Sequence, residues 1–283
     1  MRKVIAIDGT HLYGKYEGML LSAVARDTEN HIYPIAFFVV DKKNDASWTF
    51  FFEKLKSIAV DGPNLCFISD RHKSIANGIT KAYDPAQHGY CMRHLGKNLR
   101  VNHHCREHFY LFYNAAKAYS PKEFSYHFVE FKNYCPEAAF FFEHKLGFEK
   151  WSKAYFFDNR CDVMTTNIAE SVNAMLIDER EYPVASIFNS IAKRFGEIFK
   201  ERRAYVLKCK DKKFVPTTEK ILRDNMSEGN FFYVKNISGD ERQYTVFGSG
   251  CTAKVDLLER SCSCRKFDLV KIPCDGLFAI EAR

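Results

Sequence analysis

The first third of the chain alternates short apolar runs with turn signals. Lys3 to Ile7 is a β-branched run that ends at Asp8-Gly9, Met19 to Ala25 is a second strand candidate, and Ile32 to Val40 is a third with Pro34 near its start. The period then changes: Trp48, Phe51, Phe52, Leu55, Ile58 and Ala59 fall at helical spacing, so Ser47 to Ala59 predicts an amphipathic helix. Leu65 to Ile68 is a further apolar run closing on Ser69-Asp70, and a helix is predicted over His72 to Ala82. Three strands, a helix, a strand and a helix predict an α/β fold whose sheet begins antiparallel.

From Leu95 to Trp151 strand character disappears and the chain fills with Phe, Tyr, Ala, Lys and Glu, which predicts a helical insertion. Thr165-Thr166 offers an N-cap to a helix reaching Ile177. After Pro183 a longer helix carries Val184, Ile187, Phe188, Ile191, Phe195 and Ile198 as one apolar stripe. Asn230 to Val234, Gln243 to Phe247 and Ala253 to Leu257 then predict a small β module, its strands separated by Ser238-Gly239 and Gly248-Ser249-Gly250.

Composition narrows the classes. The 283 residues are 46% hydrophobic and 27% charged, with 14 Gly and 8 Pro, which excludes disordered and collagen-like chains. No stretch approaches the ~18 consecutive apolar residues of a membrane span. Only four apolar residues lie between Lys3 and Asp8, too few for a signal peptide, so an intracellular protein is expected. The net charge is +7, and its source is local. Between Ile191 and Phe214 nine Lys/Arg face three acids, among them Lys193, Arg194, Lys200, Arg202, Arg203, Lys208, Lys212 and Lys213. A helix with one apolar and one basic face suits a nucleic-acid backbone, and it suits an ordinary solvated surface as well.

Asp8 and Asp70 each follow an apolar run. In an α/β sheet the strand ends are where functional groups converge, and two carboxylates held close together are tolerated when a divalent cation sits between them. Each Asp alone is more often a turn residue or helix cap. Glu170 is the third candidate acid: Asn167, Glu170 and Asn173 share one helix face opposite Ile168, Val172 and Leu176. That polar face points either at a metal site or at water.

Five ordered segments, VIAIDGTHL, PIAFFVVDKKNDASWTFFFEKL, FISDRHKSI, HGYCMRHLGKNL and TTNIAESVNAML, resemble the catalytic domain of plant Mutator-like element transposases over about Val4 to Arg203. The later CSCRKFDLVKIPCDG resembles a SWIM zinc finger. The resemblance implies an RNase H-like catalytic domain over residues 1–210, with the helical insertion at about 95–160. A C-terminal region, 211–283, would then carry the finger at about 247–283. It maps the three acids of a two-metal Mg²⁺ or Mn²⁺ site onto Asp8, Asp70 and Glu170. There they would cleave DNA and transfer strands by in-line phosphodiester attack. Its Cys-x-x-His element falls on Cys91 and His94, which with Asn167 and Asn173 are expected to order the pocket.

Ten cysteines are too few for a disulfide scaffold and are expected as thiols. Cys66, Cys135, Cys161 and Cys209 read as small buried hydrophobes. Cys105 and His108 repeat the Cys91/His94 spacing, with His88, His103 and His104 nearby, which is a tolerable zinc pattern. Cys262, Cys264 and Cys274 match the first three ligands of the SWIM finger by resemblance. The family's His falls on Gly276, leaving Asp275, Cys251 or water for the fourth position of Zn²⁺.

The functional expectation is a transposase-derived polynucleotidyl transferase acting on DNA in the nucleus, with no membrane partner and a homo-oligomer left open. The chain begins almost at the first catalytic strand, so an upstream DNA-binding module is expected to be missing. Two alternatives stand beside this reading: a non-catalytic DNA-binding regulator similar to the far-red-response transcription factors of plants, and an inert element relic.

Overall fold

The computed structural model describes the chain apart from residues 1–2, 16, 103–104, 106, 157–162, 209–212, 237–238, 240–241, 249–250, 271 and 282–283. The side chains of Asn102, Cys251, Asp268, Leu269 and Glu281 are not described either. His103, His104, Cys161, Cys209 and Lys212, singled out above, therefore lie outside the described residues, as does the Cys251 thiol.

The fold is mixed α/β. Its strands are β1 Val4–His11, β2 Met19–Arg26, β3 Ile32–Val40, β4 Cys66–Ser69, β5 Gln87–Tyr90, β6 Tyr233–Lys235, β7 Gln243–Gly248, β8 Cys251–Asp256 and β9 Ser261–Cys262. The α-helices are α1 Asp45–Lys56, α2 Lys73–Ala82, α3 Met92–Asn102, α4 Phe109–Lys117, α5 Pro121–Tyr134 and α6 Pro136–Phe140, then α7 Asn167–Met175, α8 Val184–Lys208, α9 Pro216–Gly229, α10 Lys266–Val270 and α11 Asp275–Glu281. The chain divides into two compact units, residues 1–95 with 163–215 and residues 96–162 with 216–283. Among the described residues no helix is long and apolar enough to cross a membrane.

The first unit holds a five-stranded sheet in the order β3-β2-β1-β4-β5, antiparallel on the β3 side of β1 and parallel on the β5 side. The first strand runs further than its apolar run predicts. Asp8 to His11 pair with Ser22 to Met19, so Asp8 sits inside β1 and not after its end. Pro34 is tolerated because β3 is an edge strand and its register against β2 shifts beside Val24. Strand β5 was not anticipated; Gln-His-Gly-Tyr has no apolar alternation, and parallel pairing with β4 alone makes it a strand.

Alternation along β1 sends Ile5 and Ile7 to one face and Ala6 to the other. On the first face α1 buries Trp48, Phe51, Phe52 and Leu55, a helical stripe begun by Asn44, whose side chain accepts the Ser47 N–H at 2.8 Å. Helix α1 stops at Lys56, short of the predicted Ala59, and Ile58 is exposed. Helix α2 crosses α1 at Gly78, where an added Cβ would lie 2.8 Å from Phe52 Cδ2 and 3.1 Å from the Trp48 backbone. Only glycine permits that approach. On the opposite face α7 contributes Ile168, Ala169 and Val172, and α8 contributes Ile187, Ile191 and Phe195. Phe188, counted in the α8 stripe, lies at its margin and is 38% exposed.

In the second unit α4, α5 and the turns after α6 interlock through aromatic rings. Phe112, Phe124, Phe131, Phe142 and Trp151 are all buried, with Phe112 stacked on Trp151 at 5.1 Å. The high Phe content of this segment is thus spent on ring packing. Cys105 and Cys135 form a disulfide across 30 residues. This corrects two expectations: Cys105 is not available as a zinc ligand, and Cys135 is not a lone thiol. His108 stacks instead on Tyr134 at 4.1 Å. Helix α9 was not predicted, the strand expected at Asn230 to Val234 is β6 at Tyr233–Lys235, and the small antiparallel sheet has a fourth strand, β9. Its core joins Val246, Val255, Leu277 and Ala279 to Cys262 and Cys274.

Candidate catalytic pocket and thiol cluster

Asp8 lies on the face of β1 that Ala6 presents to α7. The parallel register pairs Ala6 with Ile68, so two residues further on Asp8 and Asp70 come abreast. Asp70 follows β4 directly and also performs the turn role open to it: its Oδ1 accepts the His72 N–H at 2.9 Å. From above, Asn173 of α7 donates to Asp8 Oδ2 at 2.7 Å. Asn173 is buried, and its own Oδ1 has no hydrogen-bond partner among the described residues.

Glu170 lies one turn earlier on α7. Its Oε2 accepts from Arg93 at 2.8 Å, and its Oε1 accepts from the Thr166 hydroxyl at 3.2 Å with His94 Nε2 at 3.9 Å. Asn167 Oδ1 accepts from the same Arg93 nitrogen at 3.2 Å. Thr166 occupies the N-cap position of α7 but makes no side-chain cap. Its backbone N–H turns instead to Cys91 Sγ at 3.3 Å, and that sulfur, 3.4 Å from the hydroxyl, is the alternative acceptor to Glu170 for the hydroxyl's one proton. Two backbone bonds bring these groups together: Cys91 N–H to Ser69 O at 2.8 Å ties the end of β5 to β4, and Met92 N–H to Met164 O at 2.9 Å draws in the segment before α7. Arg93 and Thr166 were missed in the sequence. Arg93 stands inside the quoted HGYCMRHLGKNL segment, but its partners are 74 and 77 residues away, and no local spacing signals them.

Burial pushes the Asp8 carboxyl above its ordinary range, the neighbouring Asp70 charge pushes it further, and the Gly9 N–H and Lys43 oppose this. Burial also raises the Cys91 thiol, yet hydrogen bonds from His94 and Thr166 outweigh it and the net shift is downward. His94 is raised, chiefly by its hydrogen bond to Cys91, with Glu170 and Asp70 adding to the effect. Both shifts favour the charged forms, through the hydrogen bond that Cys91 and His94 share. The donor set of the pocket suits a hard divalent cation: carboxylate oxygens, an unpartnered amide oxygen, and a buried carboxylate repelled by a second one. Asp8, Asp70 and Glu170 are nonetheless not drawn within a single ion's reach; among the described residues the group so gathered is Cys262, Cys264 and Cys274.

Those three sulfurs all lie within 4.8 Å of one another. Cys262 ends β9, Cys264 stands in the turn after it, and Cys274 precedes α11. Hydrogen bonds from Cys262 and Cys264, with the Leu277 and Gly276 N–H groups, hold Cys274 down to about 3 against burial. Hydrogen bonding to Cys264 and Cys274 together with burial pushes Cys262 up. Soft thiolates so gathered fit zinc. The Asp275 carboxylate does not join them, because it accepts from Lys266 Nζ at 3.0 Å.

Along α8 the basic residues differ in availability. Lys193, Lys200, Arg203 and Lys208 are exposed, as is Lys213 beyond the helix. Arg194 is instead tied to the buried Glu179 at 2.6 Å, and Arg202 donates to the Ile32 carbonyl. Two of the eight residues expected on a nucleic-acid face thus anchor α8 to its own unit.

Comparison with protein families bears on both sites. Residues 4–98 match the MULE transposase domain, and residues 244–274 match the SWIM zinc finger. No curated protein matches the chain. The MULE match spans β1 through most of α3 and so includes Asp8, Asp70, Cys91 and His94, while the SWIM match includes all three clustered cysteines. Residues 4–98 are thus similar to a transposase domain, and the finger match and thiol cluster together support Zn²⁺.

Proposed function

We propose that the first unit is an RNase H-like, metal-dependent polynucleotidyl transferase that acts on DNA in the nucleus through Asp8, Asp70 and Glu170. The sheet order β3-β2-β1-β4-β5, with its change from antiparallel to parallel at β1, supports the fold assignment. The observation that carries the reading is the β1/β4 register, which sets Asp8 beside Asp70 under α7, with Glu170 one turn from the Asn173 that binds Asp8. Asp8, Asp70 and Glu170 would hold Mg²⁺ or Mn²⁺, which would supply activation of a water or 3′-hydroxyl and stabilisation of the leaving oxygen.

The protein's own part is positioning. Asn173 fixes the Asp8 carboxylate, and Thr166, set by its backbone N–H on Cys91, fixes Glu170 through its hydroxyl. Arg93 pairs with Glu170 and would have to release that oxygen for it to hold a cation. The exposed bases of α8 give a phosphate backbone a surface to follow. The direct test is nicking of supercoiled DNA with Mn²⁺ by the parent and by Asp70→Asn. The expected result is metal-dependent nicking by the parent alone; equal nicking by both, or none by a parent that binds Mn²⁺, would count against the assignment. The pairing of Glu170 with Arg93 favours a second reading, a DNA-binding regulator in which the acids are spectators. Its signature is metal-independent, salt-sensitive duplex binding without nicking.

A further inference from the structure

Zinc in a structural site takes four protein ligands, whereas a site with three keeps one position for an exchangeable ligand. The thiol cluster of the second unit supplies three. No His, Asp, Glu or fourth Cys among the described residues joins Cys262, Cys264 and Cys274. The nearest acid in sequence, Asp275, is committed to Lys266. What stands at the remaining position is visible from the glycine there. A Cβ built on Gly276 would lie 3.8 Å from Cys262 Sγ, 3.9 Å from Cys274 Sγ and 3.8 Å from Val255 Cγ2. A side chain at 276 would therefore begin in van der Waals contact with two of the three sulfurs, clashing with nothing, and glycine leaves that direction empty.

We propose that Cys262, Cys264 and Cys274 form an open three-thiolate metal site, and that its fourth coordination position, beside Gly276, is taken by an exchangeable small Lewis base from solvent, such as water or an imidazole. Metal uptake releases to the buffer the protons that the cluster's thiols still carry and involves no change of oxidation state. The site is then a weaker and more labile holder than a closed four-ligand finger, and it can sense or accept small donors that a closed finger excludes. This inference is independent of the carboxylate pocket.

The test uses the full chain, kept reduced and loaded with Co²⁺ as a spectroscopic stand-in for zinc. A thiolate-to-cobalt charge-transfer band reports metal on sulfur, and carboxylate-bound cobalt does not produce it. Adding imidazole to the parent is expected to shift the visible d–d bands saturably while the thiolate band stays. Gly276→His should abolish that response and tighten cobalt binding by roughly tenfold or more, since a direct ligand is worth at least what a supporting residue commands. Gly276→Ala should respond as the parent does, and so should Cys251→Ser. A parent without a thiolate band, one whose d–d bands ignore imidazole, one that loses the thiolate band on adding it, or a Cys251→Ser variant that gains a response the parent lacks would each overturn the proposal.

Discussion

Asp8 shows how much one buried carboxylate can say. Because burial and Asp70 raise its pKa in the folded chain, the folded state holds the proton more tightly than the unfolded state does. Ionisation therefore costs stability as pH rises from the unfolded value through the raised folded one, and that cost is fully present at neutral pH. Asp8→Asn keeps the acceptor for Asn173 and removes the charge. Its thermal midpoint at pH 7 should exceed that of the parent, with the gap closing as pH falls through the raised pKa, while Mn²⁺ binding is lost. A midpoint equal to or below the parent's at pH 7 would show that Asp8 is not under this electrostatic load. Arg93 makes the complementary case. Its ion pair with Glu170 is 60% exposed on the Arg side, so it competes with a cation only weakly. Arg93→Ala should tighten Mn²⁺ binding about two- to fivefold by titration, and weaker binding would assign Arg93 to holding the pocket open. Asp8 and Asp70 were legible in the sequence because each closes an apolar run. Arg93 and Thr166 were not, because their partners come together only through the β4-β5 and Met92–Met164 backbone bonds.

At the scale of elements, patterning reads well where one face is buried and badly where pairing alone decides. Helices α1 and α8 follow their apolar stripes because each covers a sheet face, whereas β5 is a strand only because β4 lies beside it. The overrun of β1 past Asp8 has the same cause, since β2 continues to pair with Thr10 and His11 after the apolar run ends. Charge counting along α8 misleads in a similar way, treating as surface what Glu179 and the Ile32 carbonyl already use. Glu179 is 5% exposed, with its Oε2 unpaired among the described residues, so it depends on Arg194. Arg194→Ala should destabilise the chain by about 1–3 kcal/mol in chemical denaturation, because it strands a buried carboxylate. Lys200→Ala should leave stability within about 0.5 kcal/mol of the parent. Equal effects from both would return Arg194 to the solvated face.

At the scale of the whole molecule, two chemistries are segregated: hard oxygen donors in the sheet of the first unit, and soft sulfur donors in the small sheet of the second. The order of the motifs made that division legible, and the matches over residues 4–98 and 244–274 fall on its two sides. The Cys105–Cys135 bridge was not legible, because a 30-residue separation carries no ligand-like or pairing signal of its own. Manganese prefers oxygen donors, so it addresses the first unit selectively. The central claim is therefore tested most directly by calorimetric Mn²⁺ titration of the full chain beside Asp8→Ala, Asp70→Ala and Glu170→Ala. Saturable binding in the parent, lost in all three folded variants, is the predicted result; a folded parent that binds no Mn²⁺, or variants that bind it as the parent does, would contradict a shared metal pocket.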